Sequence, residues 1–209
     1  MGLLISFDEI AEESSFFYDI DHPLDWQEVF GNSNPLNLEV GFGNGKFLIE
    51  IAALNPQLNF FGIDFYHKGI RKLASRIDKL QLQNIRILYG DARDRIPRVF
   101  EPDQLDSIFI NFPDPWPKKR HIKRRLIKPN FISMLTSKVT PDGRIHLATD
   151  SEPYASEMMQ YLSDATGLKN CYGSGKFREH REDFPQSKYE RNFINAGDKI
   201  FYLEFQRCG

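Results

Sequence analysis

The residues best suited to chemistry lie in one short stretch of the chain, Asn111-Phe112-Pro113-Asp114-Pro115-Trp116-Pro117. The largely apolar residues 107–110 lead into it, and its three prolines prevent a strand or helix from continuing through it. The sequence therefore predicts a rigid loop that holds one carboxylate, Asp114, and one indole, Trp116. A flat aromatic surface beside a fixed carboxylate suits the recognition of a nucleobase.

A strongly basic run follows this loop directly. Residues 118–128 contain seven Lys or Arg side chains and no acidic side chain. The whole chain has 27 Lys or Arg and 29 Asp or Glu residues. Outside residues 118–128 there are therefore 20 basic and 29 acidic side chains, a net charge near −9. We expect a polyanion such as RNA to be attracted to this run and repelled by the other surfaces. The simpler alternative is a proline-rich surface turn beside a solvated basic face.

Length, composition and cysteine content predict one globular cytoplasmic protein. The 209 residues are 41% hydrophobic and 13% aromatic, which is enough for a full core. Cys171 and Cys208 match no metal-binding or redox spacing, so we expect reduced thiols and no bound metal. No apolar segment approaches the length of a membrane span, and the N-terminal region is acidic where a signal peptide would be basic. We therefore predict a cytoplasmic location without membrane association.

The first 35 residues differ from the rest in charge. They contain eight acidic residues and no Lys or Arg, and the first cation of the chain is Lys46. Aromatic residues are interspersed among the acids. This pattern favours an acidic N-terminal arm, residues 1–35, that packs on a catalytic domain formed by residues 36–209.

From Leu36 onward, short apolar or β-branched runs alternate with segments of helical periodicity. The predicted strands are residues 36–40, 60–63, 85–89, 107–111, 144–148 and 200–205. This alternation predicts an α/β fold, with a mostly parallel sheet covered on both faces and ligands at the carboxyl ends of the strands. Polar clusters end or follow five of these strands, at residues 39–45, 64, 91, 111–116 and 149–150. Packing does not explain five such clusters at one edge, so the sequence indicates an enzyme.

A glycine loop follows the first of these strands, with Gly41, Gly43 and Gly45 at alternate positions. Glycines allow a tight turn and a close approach of a ligand to the main chain. Their spacing matches neither the phosphate-binding P-loop nor the dinucleotide pattern. The loop alone therefore identifies no particular ligand.

Three carboxylates accompany the loop. Glu39 precedes it, Asp64 ends the second strand, and Asp91 follows the third. They would repel a pyrophosphate but suit a ligand with hydroxyls, an amine and a positive centre, such as S-adenosylmethionine. Taken singly, the simpler alternative for Asp64 is a helix N-cap, and for Asp91 a turn residue.

With these motifs together, the chain resembles the bacterial tRNA (guanine-N7)-methyltransferases over roughly residues 36–206. The most specific match is residues 111–125, and Glu39 with its glycine loop, Asp91-Ala92, Thr149-Asp150 and Ser187-Lys188-Tyr189-Glu190 follow the family order. The resemblance implies a Rossmann-like class I methyltransferase fold. Its mostly parallel seven-stranded sheet has helices on both faces and an antiparallel C-terminal strand.

The resemblance also implies an activity and a role for each matched residue. The activity is methyl transfer from S-adenosylmethionine to N7 of a guanine in tRNA, the guanosine at position 46 of the variable loop, by a monomer or homodimer. Asp114 would be catalytic. The cofactor would be bound by Glu39, Gly41, Gly43, Gly45, Asp64, Asp91, Ala92 and Asp114. The guanosine would be held by Lys118, Asp150, Ser187, Lys188, Tyr189 and Glu190, and the tRNA by Arg120, Lys123, Arg124 and Arg125.

The chain departs from the family pattern in three places. Asp64 stands where the family more often has Glu, and Ser187 and Tyr189 replace Thr and Phe while keeping the character of those side chains. The acidic arm, residues 1–35, lies outside the resemblance. Family properties are therefore not extended to that arm.

The implied chemistry requires no general base, because guanine N7 already carries a lone pair. Positive charge moves to the purine as the methyl is transferred. Asp114 could accept hydrogen bonds from guanine N1–H or N2–H and stabilise that charge, while the proline-fixed loop aligns the base. Trp116 could stack on a base or wedge the loop into the core, and the sequence does not decide between the two.

Three other functions fit parts of the pattern. A methyltransferase acting on an exocyclic amine would use a related loop, although Asp114 stands where that loop has an aromatic residue. A nicotinamide-dependent reductase could use the same fold. A non-catalytic RNA-binding module would explain the basic run, but it would leave the acidic clusters unexplained.

Overall fold

The computed structural model of the chain describes residues 14–208, which divide into two compact units with the boundary between Glu101 and Pro102. Each unit contributes four strands and its own helices. The predicted division at residue 35 into an arm and a catalytic domain stays a prediction. None of the described helices is both long and apolar enough to cross a bilayer.

The first unit is built on four parallel strands. These are β1 (Phe17–Tyr18), β2 (Leu36–Val40), β3 (Asn59–Asp64) and β4 (Ile85–Tyr89), in the order β1-β4-β3-β2. Its helices are α1 (Trp26–Phe30), α2 (Lys46–Leu54), α3 (His67–Leu80) and α4 (Ala92–Val99). Every residue of β2 and β3 is buried, as expected for parallel strands covered on both faces.

The segment that precedes β2 packs on this unit. Its strand β1 pairs with β4, and the ring of Trp26 stacks on Phe100 with centroids 4.9 Å apart. Asp19 accepts a hydrogen bond of 2.7 Å from Arg95 of α4. Some of the acidic side chains before Leu36 therefore pair with cations of the same unit.

The second unit is a mixed sheet. Its strands are β5 (Leu105–Asn111), β6 (Val139–Thr149), β7 (Leu168–Asn170) and β8 (Phe201–Arg207), in the order β5-β6-β8-β7. β5 and β6 are parallel, whereas β8 is antiparallel to both of its neighbours. The helices are α5 (Pro129–Lys138), α6 (Glu152–Asp164) and α7 (Lys188–Ala196), with a 3-10 helix at Lys119–Arg124. The antiparallel C-terminal strand is thus present as predicted.

Most sequence-predicted elements lie within two or three residues of their observed positions, but the strand count differs. The described residues form eight strands where seven were predicted. The two-residue strand β1 is too short to show a pattern in the sequence. Residues 140–143, whose sequence Thr-Pro-Asp-Gly is typical of a turn, lie inside β6. There the register shifts and Asp142 has φ +65°, because extra residues loop out between the pairs Leu105–Val139 and Ser107–Arg144.

Candidate active site

The glycine loop joins β2 to α2. Gly41, Gly43 and Gly45 have φ values of +74°, +55° and +71°, a region in which other residues are strained. A Cβ added to Gly41 or Gly43 would meet nothing within 4 Å, whereas one added to Gly45 would lie 2.7 Å from Leu73 Cδ1. Gly45 is thus required for packing, while the main chain at the other two glycines faces open space that a ligand can enter.

Asp64, the last residue of β3, holds this loop in place. Its Oδ2 accepts a hydrogen bond of 2.8 Å from the Gly43 amide, and its Oδ1 accepts one of 2.9 Å from the Tyr66 amide. Burial raises the pKa of this carboxyl, and the backbone hydrogen bonds partly oppose that rise. Asp64 therefore has a structural role in the loop, and its predicted contact with a ligand stays a prediction.

Glu39 and Asp91 lie near the carboxyl ends of β2 and β4. Glu39 is only 3% exposed. Asp91 caps the N-terminus of α4, whose first residue is the buried Ala92, and it accepts hydrogen bonds from the amide and guanidinium of Arg93. The side-chain hydrogen bond from Arg93 lowers the pKa of Asp91, so this carboxylate is ionised at neutral pH. The strand order β4-β3-β2 brings the predicted acidic residues of the first unit to one edge.

Gly69 of α3 is a site residue that sequence reasoning missed. A Cβ at this position would lie 2.0 Å from the Gly43 carbonyl oxygen, a distance that no packing tolerates. α3 therefore approaches the glycine loop as closely as it does only because residue 69 has no side chain. The sequence feature that could have identified Gly69 is its position as a glycine inside an otherwise regular amphipathic helix.

In the second unit, the loop of residues 111–117 leaves β5 with an unusual backbone. Phe112 and Trp116 have φ values of +53° and +42°, and each left-handed non-glycine residue costs on the order of 1–3 kcal/mol. Such strain persists only where surrounding contacts enforce it. The Phe112 amide donates to the Ala148 carbonyl at 2.8 Å, and its ring stacks on Phe193 of α7 with centroids 5.4 Å apart. Asp114 lies between the two strained residues and is exposed.

Arg125 fixes the far side of the loop from inside the unit. It is 6% exposed, and its Nε donates a hydrogen bond of 2.7 Å to the Pro115 carbonyl. Its guanidinium also pairs with Glu157 of α6 and lies 4.6 Å from the centroid of the Tyr154 ring. A buried and internally paired guanidinium is not placed to contact RNA, as had been expected of Arg125. Its observed contacts give it the role of holding the loop.

The other cations of the basic run are distributed differently. Lys118, Lys119, Arg120, Lys123 and Arg124 are exposed, whereas Lys128 pairs with Glu157 at 2.7 Å. Burial raises the pKa of Glu157, but the hydrogen bonds from Lys128 and Arg125 outweigh it and leave the pKa lowered. The run therefore combines an exposed basic strip with two cations that serve the fold.

Trp116 is half-buried on the surface of the second unit. The His121 ring is nearly perpendicular to the indole ring, with centroids 5.6 Å apart, and the Arg124 guanidinium lies 5.0 Å from the centroid of the indole ring. Both roles that the sequence left open, wedging the loop into the core and stacking on a base, stay predictions.

A buried polar network connects this loop to the Ser187–Glu190 motif. Arg181 donates hydrogen bonds of 2.7 Å to Asn111 Oδ1 and 2.6 Å to Glu190 Oε2. The side chains of Arg181 and Glu190 are 2% and 1% exposed. Tyr202 of β8 donates to Glu190 Oε1 at 2.8 Å, and its burial and this bond raise its pKa. Glu190 is therefore held on both carboxylate oxygens.

The same carboxylate completes the N-terminus of α7. Ser187 Oγ accepts a hydrogen bond from the Glu190 amide, and the Ser187 amide donates to Glu190 Oε2, both at 3.1 Å. This reciprocal capping box stabilises the helix start. Sequence reasoning missed Arg181 and Tyr202 because nothing local to either residue shows that it faces Glu190.

The remaining predicted substrate residues lie nearer the surface. Lys188 and Tyr189 are exposed on the first turn of α7, and Asp150 is half-buried directly after β6. A cavity of about 880 Å³ opens beside the buried network, lined by Arg181, Glu190 and Tyr202 among others. The second unit thus provides a concave, partly aromatic site next to a fixed pair of opposite charges.

Comparisons with known proteins agree with this arrangement. A family model described as "Putative methyltransferase" matches residues 33–203. The tRNA (guanine-N(7)-)-methyltransferase of Geobacter metallireducens is 36% identical over 201 residues, and the match covers 95% of both chains. The enzyme of the same name from Cupriavidus pinatubonensis is 40% identical over 90% of this chain and 74% of its own length. A SAM-dependent methyltransferase from Aquifex aeolicus gives a TM-score of 0.56 at 16% identity over 87% of each chain, which confirms the predicted α/β methyltransferase fold.

Proposed function

We propose that this chain, which belongs to the tRNA (guanine-N(7)-)-methyltransferase family, transfers the methyl group of S-adenosylmethionine to N7 of a guanine in tRNA. The structural observation that supports the proposal is the open glycine loop with three acidic residues near it. Glu39, Asp64 and Asp91 lie at the carboxyl ends of three adjacent parallel strands, where this fold class binds ligands.

The residues of the first unit fit S-adenosylmethionine better than a nucleotide. The molecule has ribose hydroxyls, an ammonium and a sulfonium but no phosphate, and the three carboxylates would repel a phosphate. The open space beside Gly41 and Gly43 allows its atoms to approach the main chain. When bound, it supplies an electrophilic methyl group. We assign its binding to Glu39, Gly41, Gly43, Gly45, Asp64, Asp91 and Ala92.

Gly69→Ala tests this assignment. The added Cβ would push the Gly43 carbonyl and distort the loop, so we expect about tenfold weaker binding of S-adenosylmethionine. The free energy of unfolding should fall by about 1–3 kcal/mol. Calorimetric titration and urea unfolding measure the two effects. Ser75→Ala, on the exposed face of the same helix, is the control, and equal cofactor affinity in both variants would contradict the assignment.

The second unit recognises the guanine and its RNA in this proposal. Asp114 accepts hydrogen bonds from the base and stabilises the positive charge that develops on it, while the strained, clamped loop sets its position. Lys118, Asp150, Ser187, Lys188, Tyr189 and Glu190 contribute to the guanosine site. Glu190 acts from a fixed position, since both of its oxygens already accept protein hydrogen bonds.

The exposed cations Arg120, Lys123 and Arg124 bind tRNA phosphates. The contacts they form help offset the unstacking of the target base, on the order of a few kcal/mol. Arg124 lies over the ring of Trp116, which extends the surface available for stacking. We further propose the variable-loop guanosine at tRNA position 46 as the target, and the cytoplasm as the location.

Nucleoside mapping tests the proposed function directly. The purified protein is incubated with unmodified tRNA and methyl-labelled S-adenosylmethionine, and the tRNA is then digested and its nucleosides are separated. We expect the label in 7-methylguanosine and its loss when the target guanosine is replaced. Label in N6-methyladenosine would instead assign the chain to the exocyclic-amine methyltransferases.

A further inference from the structure

Helix α3 of the first unit presents a second basic surface, which the sequence reasoning had not singled out. Its 14 residues contain five cations and one acid, Asp78. The cations are Lys68, Arg71, Lys72, Arg76 and Lys79. At 100° per residue they fall on one side of the helix, opposite the buried apolar residues Ile70, Leu73, Ala74 and Ile77. We refer to this surface as the α3 basic face.

The three lysines of the α3 basic face are available to a partner. Lys68, Lys72 and Lys79 are exposed, and none of them forms an ion pair with any residue in the described range 14–208. Arg76 is anchored instead, since it donates a hydrogen bond of 2.8 Å to the Asn44 carbonyl. From Lys68 to Lys79 the face is about 17 Å long at 1.5 Å per residue, enough to reach several successive phosphates.

We propose that the α3 basic face binds the phosphate backbone of tRNA, as a contact separate from the exposed strip of residues 118–124. The inference rests on the proposed function, which makes tRNA the polyanion that this protein meets. Sequence reasoning had assigned RNA attraction to the basic run alone. The first unit therefore contributes to RNA binding through charge as well as holding the cofactor.

The chemistry of the helix favours RNA over an anionic membrane. A helix that lies in a membrane surface exposes apolar side chains beside its cations and inserts them between the lipids. Four apolar residues of α3, Ile70, Leu73, Ala74 and Ile77, are buried in the unit, and its exposed Leu80 stands at the C-terminal end, outside the basic face. The face offers charge without an apolar surface to insert, which suits a phosphate backbone in water.

Paired charge-removing variants test the proposal. Lys68→Gln with Lys72→Gln removes two cations of the α3 basic face, and glutamine keeps the helix propensity close to that of lysine. Lys169→Gln with Lys176→Gln removes two exposed cations of the second unit and is the matched control. Lys123→Gln with Arg124→Gln serves as a reference for loss of phosphate contacts.

Binding of a fluorescein-labelled, unmodified tRNA is measured by anisotropy over a series of salt concentrations. We expect the α3 variant to bind about tenfold more weakly, with a salt slope smaller by about one to two, while the control changes less than about twofold. An α3 variant with the same Kd and slope as the control would overturn the proposal. So would an unchanged tRNA Kd together with lost binding to phosphatidylserine vesicles, because the face would then serve a membrane.

Methylation by the wild-type protein separates this inference from the proposed function. If wild type forms no 7-methylguanosine but tRNA affinity still depends on the α3 basic face, the proposed function fails and the RNA contact stands. If wild type methylates tRNA and the α3 variant binds like the control, only this inference fails.

Discussion

Replacing Asp114 by alanine will lower kcat for tRNA methylation by about 100- to 1,000-fold, the effect of removing one preorganised electrostatic contact to a transition state. The purine gains positive charge as the methyl is transferred, and the Asp114 carboxylate, which stabilises that charge, is absent from the variant. Binding of tRNA should change by less than about twofold, since most of the affinity comes from phosphate contacts. Single-turnover kinetics at saturating tRNA measure the chemical step without product release.

The fold should survive this substitution. Asp114 is exposed and has no hydrogen bond or ion pair with another residue in the described part of the chain. The loop is instead held by the contacts of Phe112 and by the Arg125 bond to Pro115. Asp164→Ala, an exposed acidic residue at the end of α6, removes the same charge and is the control. Near-wild-type turnover of the Asp114 variant would remove its catalytic assignment.

The parallel part of the fold was predictable because its signals are local. β2 (Leu-Asn-Leu-Glu-Val) and β4 (Ile-Arg-Ile-Leu-Tyr) are rich in Leu, Ile and Val and each is followed by a glycine, and the predicted bounds 36–40 and 85–89 agree with the structure. Once strands of that kind are assigned, parallel topology brings their carboxyl ends to one edge. The clustering of Glu39, Asp64 and Asp91 in the first unit follows from that geometry.

Features that depend on distant partners were not predictable. A run of seven cations does not reveal that Arg125 is buried while Arg124 is exposed, because the difference is made by Glu157 on a later helix. The two-residue strand β1 has no periodicity to detect, and its pairing with β4 defines it. The hydrogen bond between Arg181 and Asn111 was likewise not predictable, because the two residues are 70 positions apart in the sequence.

Arg181 connects the loop to the Ser187–Glu190 motif, and its loss should have the largest effect on stability. Arg181→Met removes the charge but keeps most of the side-chain volume. Glu190 is then left as an uncompensated buried carboxylate, and breaking such a pair costs about 3–5 kcal/mol of the free energy of unfolding. Asn111 also loses the donor that fixes its side chain where the loop begins. Urea unfolding of the full chain measures the cost.

A second substitution separates the charge pair from simple loss of packing. Glu190→Gln keeps a side chain that can complete the capping box but removes the negative charge. We therefore expect the double variant, Arg181→Met with Glu190→Gln, to be more stable than Arg181→Met alone, with a coupling energy of about 1–3 kcal/mol. Additive effects of the two substitutions would show that the pair is not coupled. Glu190→Gln alone is the turnover control, because Glu190 is itself assigned to the guanosine site. Only the arginine variants lose the Arg181–Asn111 bond, so lower turnover in Arg181→Met than in Glu190→Gln, measured where both are folded, would identify Arg181 as a positioning residue for the loop.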